Sequence, residues 1–346
     1  MREMSKWERI RAALSGAQVD RVPLSLWKHC YFQEWAPGQL ARFTLALHRK
    51  FDTDLIKLTP SGSYSIQGWG PTIRFSTDDN TPSVLMEPTV ESADGWTTLP
   101  RLDVTKGALG RELETIHQVA TGLDGTAPLV MTIYSPLSIA SMLCWNRNSQ
   151  DAFGMIDDSQ SRVVHDLRQS PRQLHRGLAT IRDVVIDYVK VCLEAGASGL
   201  FFATRLARYD ALTRAEYEEF GMAYDLPILE ALVGRSQMTM LHVCKQNLMF
   251  DLMVDYPVDV ISWADRESGP SLNEVRQMTD KALAGGLSVQ TLLHGTETDV
   301  LLEARDAIAQ TEGIGLVLAP GCVIEGPTPD ANLLAVRQAI IESASP

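Results

Sequence analysis

The 346-residue chain has no block of lysine and arginine, and its formal net charge is −12. That argues against nucleic acid or an anionic membrane surface as a partner. No window approaches the roughly 18 uninterrupted apolar residues of a membrane span. The opening stretch, MREMSKWERIRAALSGAQVDRVP, is charged and helical in pattern and lacks the apolar centre of a signal peptide. Cysteine is sparse: Cys30, Cys144, Cys192, Cys244 and Cys322 are odd in number and widely spaced. A disulfide framework does not suit that arrangement, whereas reduced thiols in a cytoplasm do. No G-x-G-x-x-G turn follows the first apolar run, which counts against a dinucleotide-binding open sheet. Neither an internal repeat nor a linker divides the chain, so one domain over residues 1–346 is expected.

What is present suits a large buried core. The composition is 45% hydrophobic and 21% charged. Apolar runs recur at 22–27 (VPLSLW), 54–59 (DLIKLT), 128–134 (PLVMTIY), 199–204 (GLFFAT), 238–244 (MTMLHVC), 258–265 (VDVISWAD), 287–293 (LSVQTLL) and 315–321 (GLVLAPG). Amphipathic helical patterns lie between most of them. Examples are 271–286, opening on a capping box of Ser271 and Glu274, and 300–313. Near-continuous apolar strands alternating with helices predict a parallel sheet covered on both faces, and eight of them predict a (β/α)8 TIM barrel. Two insertions are expected. Residues 70–107 (TIRFST, SVLMEP, GWTTLP) form a small β excursion over the barrel mouth, and residues 145–180 form extra helices and loops.

Barrel sites are built at the carboxyl ends of the strands. There the sequence concentrates polar types: Trp27-Lys28-His29-Cys30, Thr59-Pro60, Tyr134-Ser135, Thr204, His242-Val243-Cys244, Asp265, His294 and Gly321-Cys322. Positions i and i+2 of a strand face the same way, so His242 and Cys244 can reach one point. With Cys322 they make three soft ligands suited to a zinc ion with an exchangeable fourth position, for which Asp265 is a candidate. Buried apolar thiols and a hydrogen-bonded core histidine explain the same residues. Lys57 lies inside an apolar strand, where a charge is costly unless paired or facing a cavity; it either carries an electrostatic role or pairs with Asp52 or Asp54. Trp27, Tyr64, Trp69 and Tyr134 either line an apolar substrate pocket or pack the core. His29 follows the first strand and either touches substrate or lies in a surface loop; His294 is read the same way.

Several stretches together resemble the uroporphyrinogen decarboxylase superfamily. They are DRVPLSLW (20–27), VMTIYSPLSIAS (130–141), GASGLFFAT, LHVC, VDVISWAD and APGCVIEGPTPDANLLAVRQAI (319–340), in the family's order over nearly the whole chain. The resemblance implies a (β/α)8 barrel, in agreement with the strand count. The decarboxylase branch uses an R-Q-A-G-R segment after its first strand, an Asp after its second and a closing G-H-G-I. This chain has Lys28-His29-Cys30-Tyr31, Thr59-Pro60 and Pro320-Gly321-Cys322-Val323 in those places. The zinc methyltransferase branch, which includes the coenzyme M methyltransferases, carries H-x-C…C. His242, Cys244 and Cys322 match it, and KLTPSGSYSIQGWG (57–70) is similar to that branch as well.

The resemblance therefore implies Zn2+ on His242, Cys244 and Cys322, and methyl transfer between a small methyl donor or thiol acceptor and a corrinoid. Because the chain lacks a D-x-H-x-x-G motif, the corrinoid would ride on a separate partner protein. A homodimer is an allowed assembly. The alternative is a metal-free decarboxylase for a smaller carboxylate, with Lys57 or His29 as its electrostatic or acid group. A non-catalytic corrinoid- or metal-binding protein is a third class.

Overall fold

The computed structural model describes residues 2–36, 38–144 and 161–344. In chain order its strands are β1 (Ile56–Leu58), β2 (Thr72–Arg74), β3 (Val84–Glu87), β4 (Leu129–Tyr134), β5 (Gly199–Thr204), β6 (Met238–Val243), β7 (Val260–Trp263), β8 (Ala282–Leu287) and β9 (Leu316–Pro320). Seven of these form one parallel sheet in the order β1-β4-β5-β6-β7-β8-β9. Their sequences are apolar at almost every position because both faces are covered: β5, β6, β8 and β9 are buried throughout.

Residues 22–28 fill the eighth position. Leu24 bridges Leu318 of β9 in parallel, and Lys28 bridges Ile324. On the other side, the N–H groups of Asp54 and Leu55 donate to the Leu24 carbonyl just before β1. The ring is thereby closed as a (β/α)8 TIM barrel. Pro23 has no N–H to donate, which helps keep this segment to isolated bridges instead of a full ladder. The floor beneath it is fixed by charge. The buried Asp54 carboxylate pairs with Arg9 and Arg21, each at 2.6 Å, and accepts the Leu24 N–H at 2.9 Å. Arg9 belongs to helix Lys6–Leu14, which opens on a Ser5–Glu8 capping box.

One strand lies earlier than its sequence suggests. The run at 287–293 is not a barrel strand: β8 is Ala282–Leu287, and Val289–His294 is a helix capped by Ser288, which accepts from the N–H groups of Gln290 and Thr291. The helical pattern at 271–286 correspondingly ends at Arg276, although its capping box forms as expected. The segment ALAGG reads as a helix tail because alanine favours helices. The glycines decide otherwise. A side chain on Gly286, at φ +101°, would meet the Ala307 Cβ at 2.5 Å, and one on Gly285 would meet the Asp265 carboxylate at 2.7 Å. Close packing against β8 requires both. His294 consequently ends a helix, not a strand.

Within the first insertion, β2 and β3 pair antiparallel. The segment GWTTLP is not a strand; Ala93–Thr97 forms a 3-10 turn. The hairpin is tied to the barrel mouth, where Gln33 Nε2 donates to Asp79 at 3.0 Å and the Tyr31 N–H donates to the Asp79 carbonyl. Of the second insertion, residues 145–160 lie outside the described residues; beyond them come helices Arg162–Gln169 and Pro171–Glu194. No described helix is long and apolar enough to cross a membrane.

Candidate functional site

The barrel mouth opens into a cavity of about 340 Å³ at the carboxyl ends of the strands. Its walls include Trp27, His29, Lys57, Tyr134, His242, Cys244 and Cys322, each singled out from sequence, and also Phe201, Arg205, Glu34 and Glu325. Residues Pro82 and Ser83 of the β2–β3 hairpin roof part of it.

Strand alternation sets the direction of His242 and Cys244. His242 is its penultimate residue and Cys244 follows its last, so both side chains turn into the cavity. The His242 ring stacks on Phe201 of β5, with centroids 5.0 Å apart and planes 27° apart. Its Nδ1 lies 3.2 Å from the Ser262 hydroxyl of β7. Burial, reinforced by the charge of Lys57, lowers the imidazole to about 3, so it stays neutral. Cys322 follows β9, where the Trp27 indole N–H donates to its carbonyl at 3.0 Å.

Burial pushes the Cys244 thiol up to about 12, and the proximity of Cys322 adds to the shift. Cys322 is exposed to the cavity, yet the protein crowding its sulfur raises that thiol too. Both are therefore protonated at neutral pH unless a cation draws the proton off.

Lys57 has no carboxylate partner among the described residues. Asp52 pairs with Lys6 and Arg337, and Asp54 with Arg9 and Arg21. Its Nζ instead reaches Thr59 Oγ1 at 3.2 Å and lies 4.5 Å from the centre of the Phe201 ring. Burial lowers it to about 8. His29 has a closer tie: its Nδ1 stands 2.6 Å from the buried Glu34 carboxylate, and its ring stacks on Tyr31.

The other sequence candidates fall outside the cavity wall. Asp265 follows β7 at the start of a short helix, accepts the Gly286 N–H at 2.8 Å and stands 3.5 Å from Arg266. Tyr64 is buried and donates to the Thr132 carbonyl at 2.6 Å; the Trp69 indole donates to the Pro100 carbonyl at 3.0 Å. These two flank a smaller pocket beside Tyr134. Sequence reasoning missed Arg205, Glu34, Tyr31 and Phe201. Arg205 left a signal, since it is the first residue after an unbroken apolar strand.

Among the described residues, no three His, Cys, Asp or Glu side chains are gathered tightly enough to hold a metal as they stand. The chemistry of the donors nonetheless fits zinc. One neutral imidazole with its Nδ1 side engaged and two thiols share one cavity wall, and nothing else pairs with the imidazole Nε2 among the described residues.

A closed ring of parallel strands with its cavity at their carboxyl ends defines the (β/α)8 class. Within it, the chain belongs to the uroporphyrinogen decarboxylase (URO-D) family, whose model matches residues 5–343. It is 24% identical over 362 residues to the methylcobamide:CoM methyltransferase MtaA of Methanosarcina barkeri, with 97% of each chain covered. A uroporphyrinogen decarboxylase of Pseudoalteromonas translucida is 24% identical over 245 residues, covering 68% of this chain and 63% of that one. Among solved structures, a methyltransferase from Methanosarcina mazei matches with a TM-score of 0.78 and 21% identity, covering 99% of this chain and 100% of the other. That likeness shows the shared fold.

Proposed function

We propose that the protein is a zinc-dependent methyltransferase that moves a methyl group between a small methylated substrate or thiol and a corrinoid carried by a separate protein. The carrying observation is that His242, Cys244 and Cys322, from two distant parts of the chain, face one cavity at the barrel mouth. Similarity over full length to a methylcobamide:CoM methyltransferase supports the same reading.

His242, Cys244 and Cys322 would hold the metal. When bound, zinc supplies Lewis acidity and keeps a coordinated sulfur deprotonated at neutral pH. The chain's own residues set the conditions for that. Burial keeps His242 neutral, so it offers a lone pair with no proton to lose. Ser262 fixes the ring from its Nδ1 side. Raised thiol pKa values mean that Cys244 and Cys322 ionise only against a cation. Aromatic walls from Trp27, Phe201 and Tyr134 would shield the reacting sulfur or oxygen from water. Asp265 accepts the Gly286 N–H and contacts Gly285 of β8 instead of facing the cavity, so in this account it supports the mouth from behind.

The test is methyl transfer from methylcobalamin to a panel of small thiols, and from methylated substrates to cob(I)alamin, followed by the corrinoid spectrum. Turnover with the intact protein and none with Cys244→Ser is expected. Carbon dioxide release from a small carboxylic acid by zinc-stripped protein would instead favour a metal-free decarboxylase using Lys57. That second reading draws on the buried Lys57 ammonium, which has no acid partner among the described residues.

A further inference from the structure

Arg205 and Lys57 put two positive charges into one cavity. Both are more than nine-tenths buried, at 7% and 5% exposure. Arg205 is held through its backbone, whose N–H donates to Ser138 Oγ at 3.0 Å. Among the described residues no hydrogen bond or ion pair engages its guanidinium, and its nitrogens are not sealed off from the cavity it lines. Among the described residues the Lys57 ammonium donates to the Thr59 hydroxyl and lies over the Phe201 and Trp27 rings, with no acid paired to it.

The acids of the same wall bond to other groups and, among the described residues, neither pairs with Arg205 or Lys57. Glu34 takes the His29 Nδ1 at 2.6 Å and the Cys30 N–H at 3.0 Å, and Glu325 accepts from the Tyr31 hydroxyl at 3.0 Å. The sulfurs do not supply the missing partner either. As thiols they are neutral, and with zinc in place two thiolates and a neutral imidazole only cancel the ion's own charge. Burying a guanidinium with no acid paired directly to it is costly, which suits a site where a ligand completes the pair.

We infer that the substrate carries a carboxylate, which Arg205 clasps through its planar fork while Lys57 adds charge from β1. The fork matches a carboxylate in two parallel hydrogen bonds. The flat walls of Phe201, Tyr134 and Trp27 suit a flat apolar body between that carboxylate and the methyl-bearing atom. The substrate class is therefore a methylated or methyl-accepting aromatic acid. In naming that class the inference rests on the methyl-transfer reading, whereas the carboxylate seat is read from the cavity alone.

The experiment is isothermal titration of the full chain with 3-methoxybenzoate, its neutral amide and the corresponding sulfonate. It needs neither zinc nor corrinoid, so failure of the seat and failure of methyl transfer are told apart. The intact protein should bind the carboxylate at least about tenfold more tightly than the amide, the usual strength of a charge-assisted pair. Arg205→Gln should lose that preference, and Arg205→Lys should recover part of it. Should Arg205→Gln not fold, Arg205→Lys alone decides: the preference shrinks if the fork is the seat and stays whole if it is not. Equal binding of acid and amide, a preference that survives Arg205→Gln, a stronger grip on the sulfonate, or no binding of any of the three overturns the inference.

Discussion

The Nδ1 of His242 lies 3.2 Å from the hydroxyl of Ser262, on the neighbouring strand. That contact holds the ring from behind and leaves Nε2 as the donor for the proposed zinc. Removing such an outer partner typically costs about 10–100-fold in metal affinity. Ser262→Ala should weaken zinc binding by that order while leaving the melting temperature of the metal-free protein within a few degrees. Competition against a chromophoric chelator measures the first, and calorimetry the second.

Lys57 gives a pH signature. Its folded value is depressed to about 8 from an ordinary 10.5. Between those values the unfolded chain binds more protons than the folded one, so stability rises as pH climbs from 8 to 10.5. Below 8 the buried charge costs the fold up to about 3 kcal/mol. Lys57→Met should therefore raise stability at neutral pH and flatten the alkaline rise. Urea unfolding at pH 7 and pH 10 checks this; a variant less stable at pH 7 than the parent would contradict it.

Asp225 behaves in the opposite sense. It is fully buried, accepts from the hydroxyls of Tyr217 and Tyr256 at 3.1 and 2.9 Å, and burial raises it to about 7. Here the folded state binds the extra proton, so stability declines as pH rises from about 4 through 7. Asp225→Asn keeps an acceptor for both tyrosines and removes that decline. Its advantage over the parent should grow to a few kcal/mol by pH 8 and vanish near pH 4. Thermal unfolding of both proteins across that range reads it directly.

The barrel was legible because both faces of its strands are covered: buried apolar runs such as GLFFAT and MTMLHV need no alternation to be recognised. β8 was not, because its need for Gly285 and Gly286 comes from Asp265 and Ala307, contacts that exist only once the sheet is built. The same division holds at the mouth. His242 lies in β6 and Cys244 directly follows it, so simple alternation predicts their common direction. Trp27, His29, Tyr134 and Cys322, read at strand ends, and Lys57, read inside a strand, come to line one cavity only through barrel closure. Asp265 sits at a strand end too, yet its carboxylate turns to the Gly286 N–H, a choice that spacing does not encode. Arg205 was passed over because only the finished cavity reveals that its charge has no partner among the described residues.

Zinc content of the purified protein tests the central claim most directly. Metal analysis after exhaustive dialysis should find close to stoichiometric zinc in the intact chain, with a marked loss in Cys322→Ser and a parallel loss in His242→Ala. An intact chain with little zinc, or a Cys322→Ser variant that keeps the full complement, would contradict the account.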